Sequence, residues 1–144
     1  MKYVTESDAE TVRAGENFAG ILESHSVILM YGEMGAGKTH FVKGIARGLG
    51  IDTVVTSPTF AIVNEYHNSE KQSDLYHFDL FRLRNEDDLY AVGFYDYIDC
   101  GVIAVEWAEN VPELESEFST FYKVTFTKTG EHTREIEIHE ITRT

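Results

Sequence analysis

The sequence is poor in cysteine, in positive charge and in long apolar runs, and each shortage excludes something. Cys100 is the only cysteine among 144 residues, so no internal disulfide can form. A lone thiol suits a reducing compartment. The six histidines, His25, His40, His67, His77, His132 and His139, show no ligand spacing with it, so no zinc-site pattern is present. No apolar stretch approaches the ~20 residues of a membrane-spanning helix. The start, Met1-Lys2-Tyr3-Val4-Thr5-Glu6-Ser7, lacks the charged-then-apolar layout of a secretion signal, and a cytoplasmic location is expected. Twelve basic residues face 25 acidic ones, for a net charge of -13. Phosphate backbones and anionic headgroups repel such a surface, so unaided binding to nucleic acid or membrane is not expected. A basic protein partner fits it. There is no repeat, low-complexity tract or linker, and 42% hydrophobic residues predict one globular domain over residues 1–144.

What the chain does have is a phosphate-binding loop, Gly32-Glu33-Met34-Gly35-Ala36-Gly37-Lys38-Thr39. The spacing Gly, four residues, Gly-Lys-Ser/Thr has a physical reason at each fixed position. Glycines let successive backbone N–H groups turn inward around phosphate oxygens. Lys38 brings a point charge to the β/γ-phosphates, and the Thr39 hydroxyl suits Mg²⁺. A helix starting here adds the positive end of its dipole. A chance match in a chain this long occurs roughly once in a few hundred sequences. The flanks also agree: residues 26–31 read as a buried strand, and Phe41, Val42, Ile45, Ala46 and Leu49 fall at helical spacing, with Gly48 and Gly50 as a stop signal.

Elsewhere, Tyr3-Val4-Thr5 reads as a short strand, and Ser7 to Glu10 has capping-box spacing that opens a helix over about residues 8–22. Residues 53–56 read as a strand, and residues 60–66 and 72–78 as a hairpin around a polar turn. Residues 86–92 predict a helix and residues 94–98 a short helical or irregular segment. The unbroken apolar run Gly101-Val102-Ile103-Ala104-Val105 predicts a central strand buried on both faces. Residues 121–127 and 134–141 alternate in polarity and predict a hairpin at one sheet edge, joined through Thr129-Gly130-Glu131. The fold class is α/β, a phosphate-loop NTPase-like mixed sheet flanked by helices.

A phosphate loop needs a carboxylate at a neighbouring strand end to hold hydrated Mg²⁺. Glu106 ends the most apolar strand and is favoured. Asp79, after the less uniformly apolar Leu75-Tyr76-His77-Phe78, is expected behind it, positioning water or acting as a switch. Ser57-Pro58-Thr59 follows the loop, its helix and one strand, where GTPases place a γ-phosphate-sensing segment; a rigid turn is the plainer reading. Trp107 reads either as core packing or as a partner-facing anchor. The acids at 109, 113, 115 and 117 read as a solvated face or a dock for a basic surface.

With Ser57-Pro58-Thr59-Phe60, His77-Phe78-Asp79-Leu80-Phe81-Arg82-Leu83 and Val105-Glu106-Trp107 following the loop in order, nearly the full chain resembles the TsaE family, also called YjeE or YdiB. These are the bacterial ATPases of threonylcarbamoyladenosine tRNA modification. The resemblance implies that Thr39 and Glu106 bind Mg²⁺ and that residues 34–39 (Met34, Gly35, Ala36, Gly37, Lys38, Thr39) wrap the phosphates of ATP or ADP. It implies catalytic weight for Lys38, Asp79 and Glu106, and functional weight for Thr59 and Trp107. The segment from Ser7 to Thr11 and the late hairpin near Gly130 lie where the family contacts the base. Phe81 departs from the family's usual Tyr, so the phenolic hydroxyl is missing here. The implied partners are TsaD and TsaB, which transfer the threonylcarbamoyl group, with tRNA reached only through them.

Two other classes share the loop. A small-molecule kinase closes an arginine-bearing lid. After Glu106 only Arg134 and Arg143 remain, both in the predicted hairpin or tail, although Arg82 and Arg84 could reach the site. With no arginine finger expected near the loop, hydrolysis should be slow until a partner stimulates it. A GTPase switch needs Asn-Lys-x-Asp to read guanine, and no Asn here precedes Lys.

Overall fold

In the computed structural model, five of seven strands run toward the same end of one sheet, and that end collects the chemistry. The structure describes residues 1–33, 35–52, 54–55, 62–68 and 73–143. The strands are β1 (Lys2–Thr5), β2 (Val27–Tyr31), β3 (Val63–Tyr66), β4 (Leu75–Asp79), β5 (Val102–Glu106), β6 (Thr120–Lys128) and β7 (Arg134–Thr142), in the order β1-β7-β6-β2-β5-β4-β3. β2 pairs in parallel with β5 and β6, and β4 with β5; β1–β7, β6–β7 and β3–β4 are antiparallel. The carboxyl ends of β2, β4, β5 and β6 therefore coincide. Because β7 returns from that end and β1 runs against β7, with Thr5 opposite Arg134, the start of the first helix arrives there too.

Strand polarity follows burial. Ile28 and Met30 of β2 join one core, while Val27 and Leu29 join the other; β5 splits the same way, with Val102 and Ala104 against Ile103 and Val105. All five residues of β5 are buried, as its apolar run predicts. Helices α1 (Asp8–Ala19) and α2 (Lys38–Gly48) cover one face through Phe18, Phe41 and Ile45. The other face is covered by α3 (Glu86–Ala91) and 3₁₀ turns at Phe94–Tyr97, Ala108–Asn110 and Pro112–Glu117. Among the described residues, no helix is long and apolar enough to cross a membrane.

α1 and α2 approach so closely that a Cβ on Gly44 would sit 1.9 Å from the Val12 carbonyl oxygen, and one on Gly15 2.1 Å from that of Phe41. These glycines are a packing requirement that helical periodicity does not register.

Three expectations change. The late hairpin does not form the sheet edge: β6 lies against β2, and β1 caps β7 outside it. A four-residue segment of only modest β pattern takes the edge because β7 offers it a free ladder. α1 stops at Ala19 rather than residue 22, with the Gly20 N–H donating to the Asn17 carbonyl and the Ile21 N–H to that of Phe18. Val54 and Val55 belong to no strand; Val55 is instead buried in the core beside Ile51, and Val54 is exposed. The rest of that predicted strand, Thr53 and Thr56, lies outside the described residues.

Candidate functional site

The phosphate loop leaves β2 at Tyr31 and enters α2 at Lys38. Gly37 forms the helix N-cap at φ 95°, a left-handed conformation that side chains disfavour. Beside it opens a cleft of about 440 Å³ whose walls include Gly35, Ala36, Lys38, Thr39, Asp79 and Glu106. Lys38 is 4% exposed. Its ammonium donates to the Gly32 carbonyl oxygen and lies 3.7 Å from the centre of the Trp107 ring. Burial holds the Lys38 pKa below the ordinary lysine value, opposed by the charges of Glu109, Glu106 and Asp79. The Gly32 N–H donates to Glu109 Oε2 at 3.0 Å, tying the loop's first residue to the segment after β5.

The Thr39 hydroxyl donates to Glu106 Oε2 at 3.0 Å. Loop and acid come from neighbouring parallel strands, β2 and β5, which is why they meet. Asp79 stands opposite Glu106 in the β4–β5 register, and its Oδ1 accepts from the Phe81 N–H at 2.9 Å. Two hard-oxygen groups in contact at the loop suit a cation that keeps several waters and takes one or two carboxylates. Among the described residues, no group of three or more His, Cys, Asp and Glu forms a metal cage.

The remaining expected residues divide. Thr11 is buried, its hydroxyl 2.8 Å from that of Thr5, and its methyl lies 3.4 Å from where a Cβ on Gly37 would stand. Ser7 is committed to capping α1 by accepting the Glu10 N–H, while its neighbour Asp8 reaches the cleft and pairs with His40 at 3.6 Å. Gly130 is off the cleft wall, but its carbonyl accepts from Arg134 Nη1 at 3.3 Å. Met34 and Thr59, with the rest of Ser57-Pro58-Thr59-Phe60, lie outside the described residues. Trp107 is half-buried at φ 60°, packing on Lys38 and on the exposed ring of Phe81 at 5.1 Å rather than lying in the core.

Arg134 corrects the expectation that no arginine approaches the loop. It lines the cleft, is 8% exposed, and its Cγ lies 3.8 Å from the would-be Cβ of Gly37. Its Nη1 donates to the carbonyls of Gly130, Glu131 and Thr133, and its buried Nε has no hydrogen-bond partner. Sequence distance hid it; the β1–β7 pairing brings it in. His77 was also missed. It is fully buried and contacts Glu106 through Nε2, and its signal was a polar residue interrupting an apolar strand.

These residues fall within a segment that known proteins share. The family model described as threonylcarbamoyl adenosine biosynthesis protein TsaE matches residues 5–136. The chain belongs to the TsaE family. A Treponema pallidum protein, named tRNA threonylcarbamoyladenosine biosynthesis protein TsaE, is 40% identical over 112 residues, covering 77% of this chain and 81% of that one. A Synechocystis protein of the same name is 44% identical over 107 residues, covering 72% and 67%. The crystal structure of Bacillus subtilis YdiB matches with a TM-score of 0.76 at 30% identity, covering 99% of this chain and 85% of that one. The expected family and the α/β fold are both borne out.

Proposed function

We propose that this TsaE-family chain binds Mg-ATP in the cleft beside residues 35–39 and hydrolyses it to ADP and phosphate, supporting tRNA threonylcarbamoyladenosine formation by acting on a TsaB–TsaD pair. The observation that carries the reading is the Thr39–Glu106 contact at 3.0 Å, at the end of two parallel strands and beside a buried lysine. Helix-start N–H groups and the Lys38 ammonium bind the phosphates; Thr39 and Glu106 would hold the cation. A cation held there would neutralise phosphate charge. Asp79, one strand over, orients the attacking water. Asp8 and Arg134, which line the cleft on the α1–β7 side, form the wall for the ribose and base. No covalent protein intermediate is involved. The net charge of -13 fits a protein that reaches tRNA through its partners.

The test is ATP turnover by the chain alone and with TsaB and TsaD. Slow turnover that rises about tenfold or more with the pair is expected, a barrier change of about 1.4 kcal/mol. Fast turnover by the lone chain, unaltered by the pair, would contradict partner control. Arg134 on the cleft wall also answers the objection to a small-molecule kinase. That reading predicts phosphate appearing on an acceptor rather than as inorganic phosphate.

A further inference from the structure

His77 lies on β4 with no exposed surface, between Leu75 and Asp79 on the same face of the strand. Its Nε2 meets Glu106 Oε2, the same oxygen that accepts the Thr39 hydroxyl. The β4–β5 register pairs His77 with Ala104 and Asp79 with Glu106, so His77 and Glu106 are diagonal neighbours on one face. His77 Nδ1 is buried without a hydrogen-bond partner. A carboxylate oxygen only accepts, so it is Nε2 that donates to Glu106. Packing alone does not call for that arrangement, since an apolar ring would fill the space with every polar group satisfied. Among the described residues the imidazole makes one polar contact, and it is to this carboxylate.

We infer that His77 is a positioning residue: with Thr39 it pins Oε2 of Glu106, fixing the carboxylate rotamer so that Oε1 is presented to the cation in the cleft. A donor behind a ligating carboxylate orients it and tunes it for the metal. The inference rests on the Mg-ATP reading above, and it adds a division of labour: nucleotide grip belongs to the loop, and the cation-dependent part of the affinity belongs to the His77–Glu106–Thr39 chain.

The test is calorimetric titration of ADP and a non-hydrolysable ATP analogue, each in Mg²⁺ and in EDTA, into wild type, His77→Leu, His77→Gln and His77→Asn. The Gln amide nitrogen reaches the place of Nε2, and that of Asn falls short. All four proteins are expected to bind equally in EDTA. The Mg²⁺-dependent gain should fall about tenfold or more in His77→Leu and His77→Asn and return in His77→Gln. A full Mg²⁺ gain in His77→Leu overturns the inference, as does an equal loss with and without Mg²⁺. Should His77→Leu fail to fold, the Gln–Asn pair decides, and identical behaviour of those two overturns it. Absence of any Mg²⁺ gain in wild type is a different result: it removes the Mg-ATP reading itself.

Discussion

Lys38 carries the sharpest expectation because its ammonium is nearly buried and, among the described residues, rests on a carbonyl and an aromatic ring. Lys38→Ala removes the charge from the cleft together with its desolvation cost, so the fold should persist while nucleotide affinity falls. A loss of tenfold or more, about 1.4 kcal/mol, is expected by calorimetry, with an unchanged unfolding midpoint in urea. The two acids should separate. Glu106→Ala is expected to lower Mg²⁺ dependence more than Asp79→Ala, because Glu106 touches Thr39 while Asp79 receives the Phe81 N–H. Metal titrations ranking them the other way would invert the assignment. Lys38 and Thr39 were legible in the sequence because loop spacing encodes them locally, and Glu106 and Asp79 because each ends an apolar run. Arg134 and His77 were not, since strand pairing between distant segments brings each to its partner.

Between helices α1 and α2 the backbones meet at Gly15 and Gly44, and a methyl group there has no room. Gly44→Ala should cost about 1–3 kcal/mol or more by overpacking, despite alanine's better helix propensity, as measured by urea unfolding. An unchanged or raised stability would contradict that packing. Near the β3–β4 connection, His67 Nδ1 lies 3.0 Å from Asp74 Oδ2, and the Asn68 N–H donates to Asp74 Oδ1 at 2.8 Å. The bond to Asp74 raises the His67 pKa, while the Asn68 N–H, followed by His67, lowers that of Asp74. The raised histidine stabilises fully below its unfolded value of about 6.5 and stops doing so as pH climbs through its folded pKa. The lowered aspartate contributes above its unfolded value of about 3.9 and stops as pH falls through its folded pKa. An NMR titration should place the His67 midpoint above about 6.5, and Asp74→Asn should bring it back down. Helix and strand periodicity located nearly every element here. The hairpin's place within the sheet was beyond periodicity, because alternation reports which face is buried and not which neighbour a strand takes.

Taken together, the sheet directions explain why the described candidate site residues gather at one end of the sheet. Parallel β2, β4, β5 and β6 deliver loop, acids and turn, and antiparallel β1 and β7 add the α1 start and Arg134. The chain as a whole carries a net charge of -13, which repels polyanions. The lone chain should therefore give no electrophoretic shift of tRNA at physiological salt, and a shift that weakens steeply with added salt would contradict this. The central claim is that the loop and the β5 acid together grip a magnesium-bound nucleotide. Calorimetric titration of a non-hydrolysable ATP analogue with Mg²⁺ tests it most directly. The account predicts saturable binding at one site that weakens when EDTA replaces Mg²⁺ and is lost in Lys38→Ala. Binding that Lys38→Ala leaves intact, or no binding at all to wild type, would contradict it.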